Sequence, residues 1–284
     1  DSTYTQSGTY SSNLGSNNNS SMSFDGVDDY INLNNQVAAV NPNQLTQATW
    51  IKTNSNFGII LTKRHSVTPN STSGPAWPTL MVSDGHARFV EDAANCSTGT
   101  DTTSTSFVAD NNWHFVVSVK DNNIYYLYVD GILIDQFNAG CSQMQGSDLN
   151  MMIGVHFAWQ SMGIQTYFNG EIDDVSIWNY AFSADEILNF NSDLIGNENE
   201  LIAYWAANEG TENILYDHSG NGNHGTINGA TWVENIEGCT DEYADNYNET
   251  ANIDDSSCTY PDNGDYSLSF DGEDDYVNCG NGLD

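Results

Sequence analysis

The stretch Ser21-Met22-Ser23-Phe24-Asp25-Gly26-Val27-Asp28-Asp29-Tyr30-Ile31-Asn32 constrains the fold more than any other, because it occurs twice. It returns as Ser267-Leu268-Ser269-Phe270-Asp271-Gly272-Glu273-Asp274-Asp275-Tyr276-Val277-Asn278. Nine of the twelve positions are identical, and two of the other three exchange one apolar residue for another. Phe24 recurs 246 residues later as Phe270, so the chain reads as one period of a tandem array plus the start of the next copy. Each copy has the pattern of strand, tight acidic turn, strand. Met22 and Phe24 alternate with serines, Asp25-Gly26 supplies the turn, and Tyr30 to Leu33 resume an extended pattern.

Similar short patterns follow at Ala48–Lys52, Phe57–Leu61, Thr79–Val82, His86–Val90, Trp113–Val119, Ile124–Val129 and Ile132–Ile134. Turn residues separate them, and Asp130-Gly131 is a two-residue hairpin signal. Strands this short and this frequent predict an all-β fold, an antiparallel two-sheet sandwich with one short helix. The helix is expected after Ser183-Ala184-Asp185-Glu186, a capping box that opens Ile187-Leu188. Residues 1–20 are rich in Ser, Asn, Gly and Thr and read as a linker or an edge strand.

Thirty-nine acidic residues stand against five Lys plus Arg, a net charge of −34. Nucleic acid and anionic membrane surfaces repel such a chain, and no run of 18 apolar residues exists to enter a bilayer. Self-repulsion of this size favours bound cations, and Ca²⁺ suits carboxylate oxygens. The amino terminus has no basic and apolar leader pattern, so a secretory signal is expected to have been removed or to lie upstream. The five cysteines read either as buried thiols or as two local disulfides, Cys96–Cys141 and Cys239–Cys258, with Cys279 in the next copy. With few lysines and much Asn, Ser and Thr, the pattern points to an extracellular, cell-surface protein.

Three groups of residues, in order along the chain, carry a resemblance. They are Ser23–Tyr30; Trp113-His114-Phe115 leading to Leu127-Tyr128-Val129-Asp130-Gly131; and Gly170–Asn179 followed by Phe182–Ile187. Together they resemble a laminin-G-like module of the concanavalin-A-like lectin/glucanase group, as found in bacterial surface proteins. The resemblance covers residues 21–190 and implies a jelly roll over 21–195. It implies no single function, since the group includes lectins, enzymes and spacers. Residues 196–236 resemble a strand pair with a Gly/Asn loop found beside such modules, closing the preceding sandwich or opening the next. Residues 237–260 form a Cys-bounded acidic loop that resembles thrombospondin type 3 calcium repeats, and 261–284 begin the next module.

In the related glucanases, alternating acidic residues on one strand supply nucleophile and acid. Here the alternation reads Glu171, Asp173, Val175, with Ser176 next, so the acid is missing and the chain is not expected to be an enzyme. Asp173 and Asp174 are expected instead to share Ca²⁺ with Asp25 and Asp28, the alternative being Asx-type bonds to backbone amides. Further candidate ligands are Asp217 and Asn221 in the Gly/Asn loop, where Ser219 and Asn223 complete an every-second-residue pattern. In the acidic loop they are Asp241, Asp245, Asp254 and Asp255, with Asn246 and Asn248. For glycans, Trp77 and Trp159 sit in non-periodic loops, with His156 and Gln160 as polar neighbours. Trp50, Trp113, Trp178 and Trp205 read as core.

The expectation is therefore a calcium-stabilised tandem-repeat adhesin or surface-filament segment. Its partners would be extracellular glycans or proteins and neighbouring repeats. The alternatives are a carbohydrate-binding module of a secreted enzyme and a structural spacer.

Overall fold

The computed structural model of the chain describes residues 20–33, 37, 43–63, 79–91, 100–101, 106–138, 150–156, 167–190, 194–260 and 276. Trp77, Trp159, Gln160, Cys96, Cys141 and all of the second motif copy except Tyr276 lie outside the described residues. The strands begin with β1 (Ser20–Asp25), β2 (Tyr30–Asn32), β3 (Gln44–Lys52), β4 (Phe57–Thr62), β5 (Thr79–Ser83) and β6 (His86–Glu91). They continue with β7 (Thr100–Asp101), β8 (Trp113–Asp121), β9 (Ile124–Val129), β10 (Ile132–Asn138), β11 (Met152–Ile153) and β12 (Asn169–Trp178). After helix α1 (Ala184–Leu188) come β13 (Leu201–Trp205), β14 (Ile214–Leu215), β15 (Gly225–Asn228) and β16 (Thr231–Glu234). The short pair β17 (Glu237–Gly238) and β18 (Ile253–Asp254) ends the series.

Two eight-stranded antiparallel sheets make a jelly-roll sandwich. One runs β10-β9-β8-β3-β12-β1-β16, with β13 also on β12; the other runs β14-β15-β2-β11-β4-β5-β6-β7. The alternation in β1 buries Met22 and Phe24, which join Ile51, Val116, Leu127 and Ile172 from their own sheet. Ile31, Leu61, Leu80, Phe89 and Ile153 face them from the other. Each such side chain contributes about 1.5–3 kcal/mol of burial. Helix α1 forms the expected capping box, with Ser183 Oγ accepting from the Glu186 amide and Glu186 accepting from the Ser183 amide.

Residues 201–234 hydrogen-bond into both sheets. β13 pairs with β12, β15 with β2, and β16 with β1, where Ser20 lies opposite Glu234. Strand β12 therefore changes partner along its length. Residues 169–172 pair with β1, and 175–178 with β13. Asp173 and Asp174 sit at the change, in a bulge against β3 where Asp174 takes a φ of +47°. Asp173 Oδ1 accepts the Asp174 amide at 2.8 Å, and Asp174 Oδ1 accepts the Tyr204 hydroxyl at 2.7 Å.

His114 ties three segments together at one end of the sandwich. Its Nδ1 lies 2.7 Å from Asp130 Oδ2 and its Nε2 3.1 Å from Asp110 Oδ1. Burial alone would lower the imidazole pKa, but the bond to Asp130 and its charge, then those of Asp110, outweigh it and raise it above 6.5. A raised folded-state pKa means the stabilisation is complete below the unfolded value and is lost as pH rises through the folded one. His114→Gln is expected to be less stable than the parent in mildly acid solution, with the gap narrowing as pH rises above 6.5. Urea denaturation at a series of pH values checks this; a gap that widens with pH contradicts it.

The described residues fall into two compact units, one ending at Glu234 and one starting at Asn235. In the second, the disulfide Cys239–Cys258 closes the acidic loop across a Cα–Cα distance of 4.8 Å. Among the described residues no helix is long and apolar enough to cross a membrane.

Candidate functional site

The turn between β1 and β2 is built by its own carboxylates. The Val27 amide donates to Asp25 Oδ1 at 2.7 Å and the Asp28 amide to the same atom at 3.3 Å, an Asx turn that needs Gly26 at φ +77°. Asp29 turns inward, and its Oδ2 accepts the Asp25 amide at 2.9 Å. Its other oxygen faces Gly229 so closely that a Cβ there would lie 2.0 Å from Oδ1. Gly229, at φ +83°, lies between β15 and β16, so the last crossover between the two sheets packs on the first, the turn from β1 to β2.

An open cleft of about 500 Å³ lies beside this turn. Asp25, Gly26 and Val27 form one wall, and Ser55, Phe57, Tyr167 and Asn169 form the rest. The walls are cross-tied. Asn169 Nδ2 donates to the Asp25 carbonyl, Thr53 Oγ1 donates to the Asn169 carbonyl, and Ser55 Oγ donates to the Phe57 carbonyl. Two aromatic side chains, an exposed valine and a few polar groups thus converge on one concavity, the composition expected of a small-ligand site.

The carboxylates of Asp25, Asp28 and Asp29 offer ligand atoms that all lie within 4.8 Å of one another. Asp29 is buried, and desolvation raises its pKa; the Asp25 amide opposes this, while the charges of Asp25 and Asp28 add to it. Three like charges around one point, with oxygen donors only, fit a hard cation such as Ca²⁺. Asp29 was not among the residues expected to bind metal, although both motif copies retain it, as Asp275 in the second.

The other expected ligands are placed differently. Asp173 and Asp174 do not join Asp25 and Asp28. Asn169 is the residue opposite Asp25, and Asp173 lies four residues, about 13 Å, further along β12. Both carboxylates are buried and hold the bulge. In the Gly/Asn loop, Asp217 Oδ1 accepts the amides of Tyr204 and Ser219, and Oδ2 accepts that of Asn223. The side chains of Ser219, Asn221 and Asn223 all donate to the Ile202 carbonyl. Amide NH₂ groups aimed inward oppose a cation, so this loop is a clamp on β13 and does not have the form of a calcium cradle.

In the acidic loop each carboxylate is exposed or nearly so, and most cap a local turn. Asp241 accepts from the Tyr243 amide and the Tyr260 hydroxyl, Asp254 from the Ser256 amide, and Asp255 from the Ser257 amide. The Asp245 amide donates to the Thr259 carbonyl. Among the described residues no group of three metal-ligating side chains forms there. Glu171 lies 3.4 Å from Lys52 and accepts the Ser21 hydroxyl. His156 is fully buried, like Ile153 and Val155 just before it, and does not present itself to a sugar as expected. Trp50, Trp178 and Trp205 are buried as expected, whereas Trp113 is half-buried with the Lys52 ammonium 5.9 Å from its ring centre.

A sequence profile of the laminin G type, described as the concanavalin A-like lectin/glucanases superfamily, matches residues 25–188, more than half of the chain. The chain belongs to this superfamily. No curated protein sequence matches it. Among solved structures, it is similar to a candidate carbohydrate binding protein from Bacteroides ovatus, with a TM-score of 0.56 and 16% identity over 78% of this chain and 60% of that one. It thus spans less than two thirds of that relative's length, and the likeness is one of fold. Lower similarity, at a TM-score of 0.45, links it to domains LG4-5 of the mouse laminin alpha1 chain, with 18% identity over 58% of this chain and 43% of that one. Domain 4 of a GH43 extracellular arabinanase from Geobacillus stearothermophilus, solved with arabinotriose, also scores 0.45, with 15% identity over 60% and 75%.

Proposed function

We propose that the chain is an extracellular, calcium-stabilised glycan-binding module of a tandem-repeat surface protein, with the sugar held in the cleft beside the acidic turn. The cleft carries the reading. Its size falls within the range of small-ligand sites, Phe57 and Tyr167 offer apolar faces to sugar carbons, and Ser55 and Asn169 offer polar groups to hydroxyls. Charge narrows the ligand class. Among the described residues Lys63 and Lys120 are buried and Lys52 is engaged with Glu171, and a net charge of −34 repels an anionic glycan. A neutral sugar is the expected occupant, bound without catalysis. Tyr167→Ala is expected to weaken a neutral tetrasaccharide at least tenfold in titration calorimetry, and equal affinity would contradict the placement.

Calcium would sit on Asp25, Asp28 and Asp29 and relieve their mutual repulsion. An ion that binds only the folded state stabilises it by about 2.7 kcal/mol at a hundred times its dissociation constant. The melting temperature is therefore expected to rise with free calcium, and Asp28→Asn to reduce that response. A melting curve unchanged by EGTA would remove the metal.

An adhesive array is preferred to a stacked filament because the module carries a cleft able to hold a ligand. Ser20 and Glu234 are cross-strand partners. The acidic turn lies at the far end of β1, five residues or about 17 Å away. Repeats that each carry such a cleft would bind a glycan surface multivalently. The spacer reading is what remains if no sugar binds.

A further inference from the structure

The two motif copies differ at three positions, and these fall into two kinds. Met22 and Ile31, replaced by Leu268 and Val277, are each 1% exposed and belong to the core, where one apolar side chain exchanges for another. Val27, replaced by Glu273, is 65% exposed and lines the cleft. The residues around it recur in the sequence, Asp25, Gly26, Asp28 and Asp29 as Asp271, Gly272, Asp274 and Asp275. The one chemically radical change therefore falls on the side chain that the Asx turn holds out at the cleft mouth. Its backbone amide is fixed by Asp25 Oδ1, so a substitution here changes what the cleft presents and leaves the turn in place.

We propose that position 27 determines the specificity of the cleft and that successive repeats in the array take different sugars. This rests on the glycan reading above. With Val27, the cleft mouth joins Phe57 and Tyr167 in an apolar surface that suits the carbon face of a neutral sugar. With glutamate there, the mouth carries a carboxylate of its own beside the three that would hold calcium, and it suits a sugar bearing a protonated amine. Glutamate there removes an apolar face from the cleft mouth and puts a hydrated carboxylate in its place, which must shed water before a sugar's carbon face can pack against it. An array built from both kinds of copy would engage a surface carrying both kinds of sugar.

The test uses the full chain and its Val27→Glu and Val27→Thr variants, with xylotetraose, cellotetraose and mannotetraose as neutral probes and a glucosamine tetramer, in mildly acid buffer, as the amine probe. Titration calorimetry should show Val27→Glu binding the preferred neutral tetrasaccharide at least tenfold more weakly and the glucosamine tetramer at least tenfold more tightly. Val27→Thr, which keeps the shape without the charge, should weaken the neutral probe less than Val27→Glu does and should gain nothing on the glucosamine tetramer, which separates the charge from the loss of apolar surface. Melting temperatures should be unchanged, since the side chain is largely in water. The proposal requires both shifts. A parent that binds a neutral probe and a Val27→Glu variant that fails either shift overturn the specificity role and leave the cleft as a glycan site. A parent that binds none of the neutral probes overturns both.

Discussion

Asp217→Ala is expected to destabilise the sandwich by about 4 kcal/mol, the largest effect of any single substitution considered. The Asp217 carboxylate is buried and accepts three backbone amides, from Tyr204, Ser219 and Asn223. Bonds to a charged acceptor contribute about 1.5–3 kcal/mol each, and deleting the acceptor leaves buried donors without partners. Relaxation of the loop offsets part of the sum. Asp217→Asn keeps the shape and one oxygen and should cost about half as much. Urea denaturation with an unchanged slope would read both losses. The same losses are expected in EGTA, because the clamp works without a cation. A loss below 1 kcal/mol, or one seen only with calcium present, would contradict the assignment.

The second large effect concerns the disulfide. Residues 235–260 bury little besides Cys239 and Ala244, and their only strands are the two-residue pair β17–β18. Such a segment cannot build a core of its own and depends on a covalent staple. Closing the 20-residue loop contributes roughly 3 kcal/mol in the chain-entropy account. The double variant Cys239→Ser, Cys258→Ser is therefore expected to lose the local fold. Hydrogen exchange reads it directly at the amides of Asn248, Asp245 and Asp255, which donate to Cys239, Thr259 and Gly238. Protection that persists at those amides in the double variant would show that the loop holds without its staple.

Much of the sandwich was legible because its strands alternate. Met22 and Phe24 face the core as their spacing predicted, and Ser183 and Glu186 form their capping box because every participant lies within one turn. What the sequence concealed depends on partners far away in the chain. The oxygens at Asp217, Ser219, Asn221 and Asn223 recur at every second residue, a pattern common to a cation cradle and an amide clamp. Only the nearby carbonyl of Ile202 and amide of Tyr204 decide between them. Asp173 and Asp174 read as ligands because nothing local announces that β12 changes partner there. His156 did carry a signal, since Ile153 and Val155 beside it are apolar and buried. The cleft itself could not be read, because its walls come from residues 25–27, 55–57 and 167–169 and meet only in the folded chain.

The central claim, that neutral sugar binds beside the acidic turn, is tested most directly by nuclear magnetic resonance. Isotope-labelled full chain would be titrated with the neutral tetrasaccharides, and amide shifts followed residue by residue. The account predicts saturable shifts at Gly26, Val27, Ser55 and the side-chain amide of Asn169, with other amides still. Saturable shifts centred on any other part of the chain, or no shifts at millimolar sugar, would contradict it.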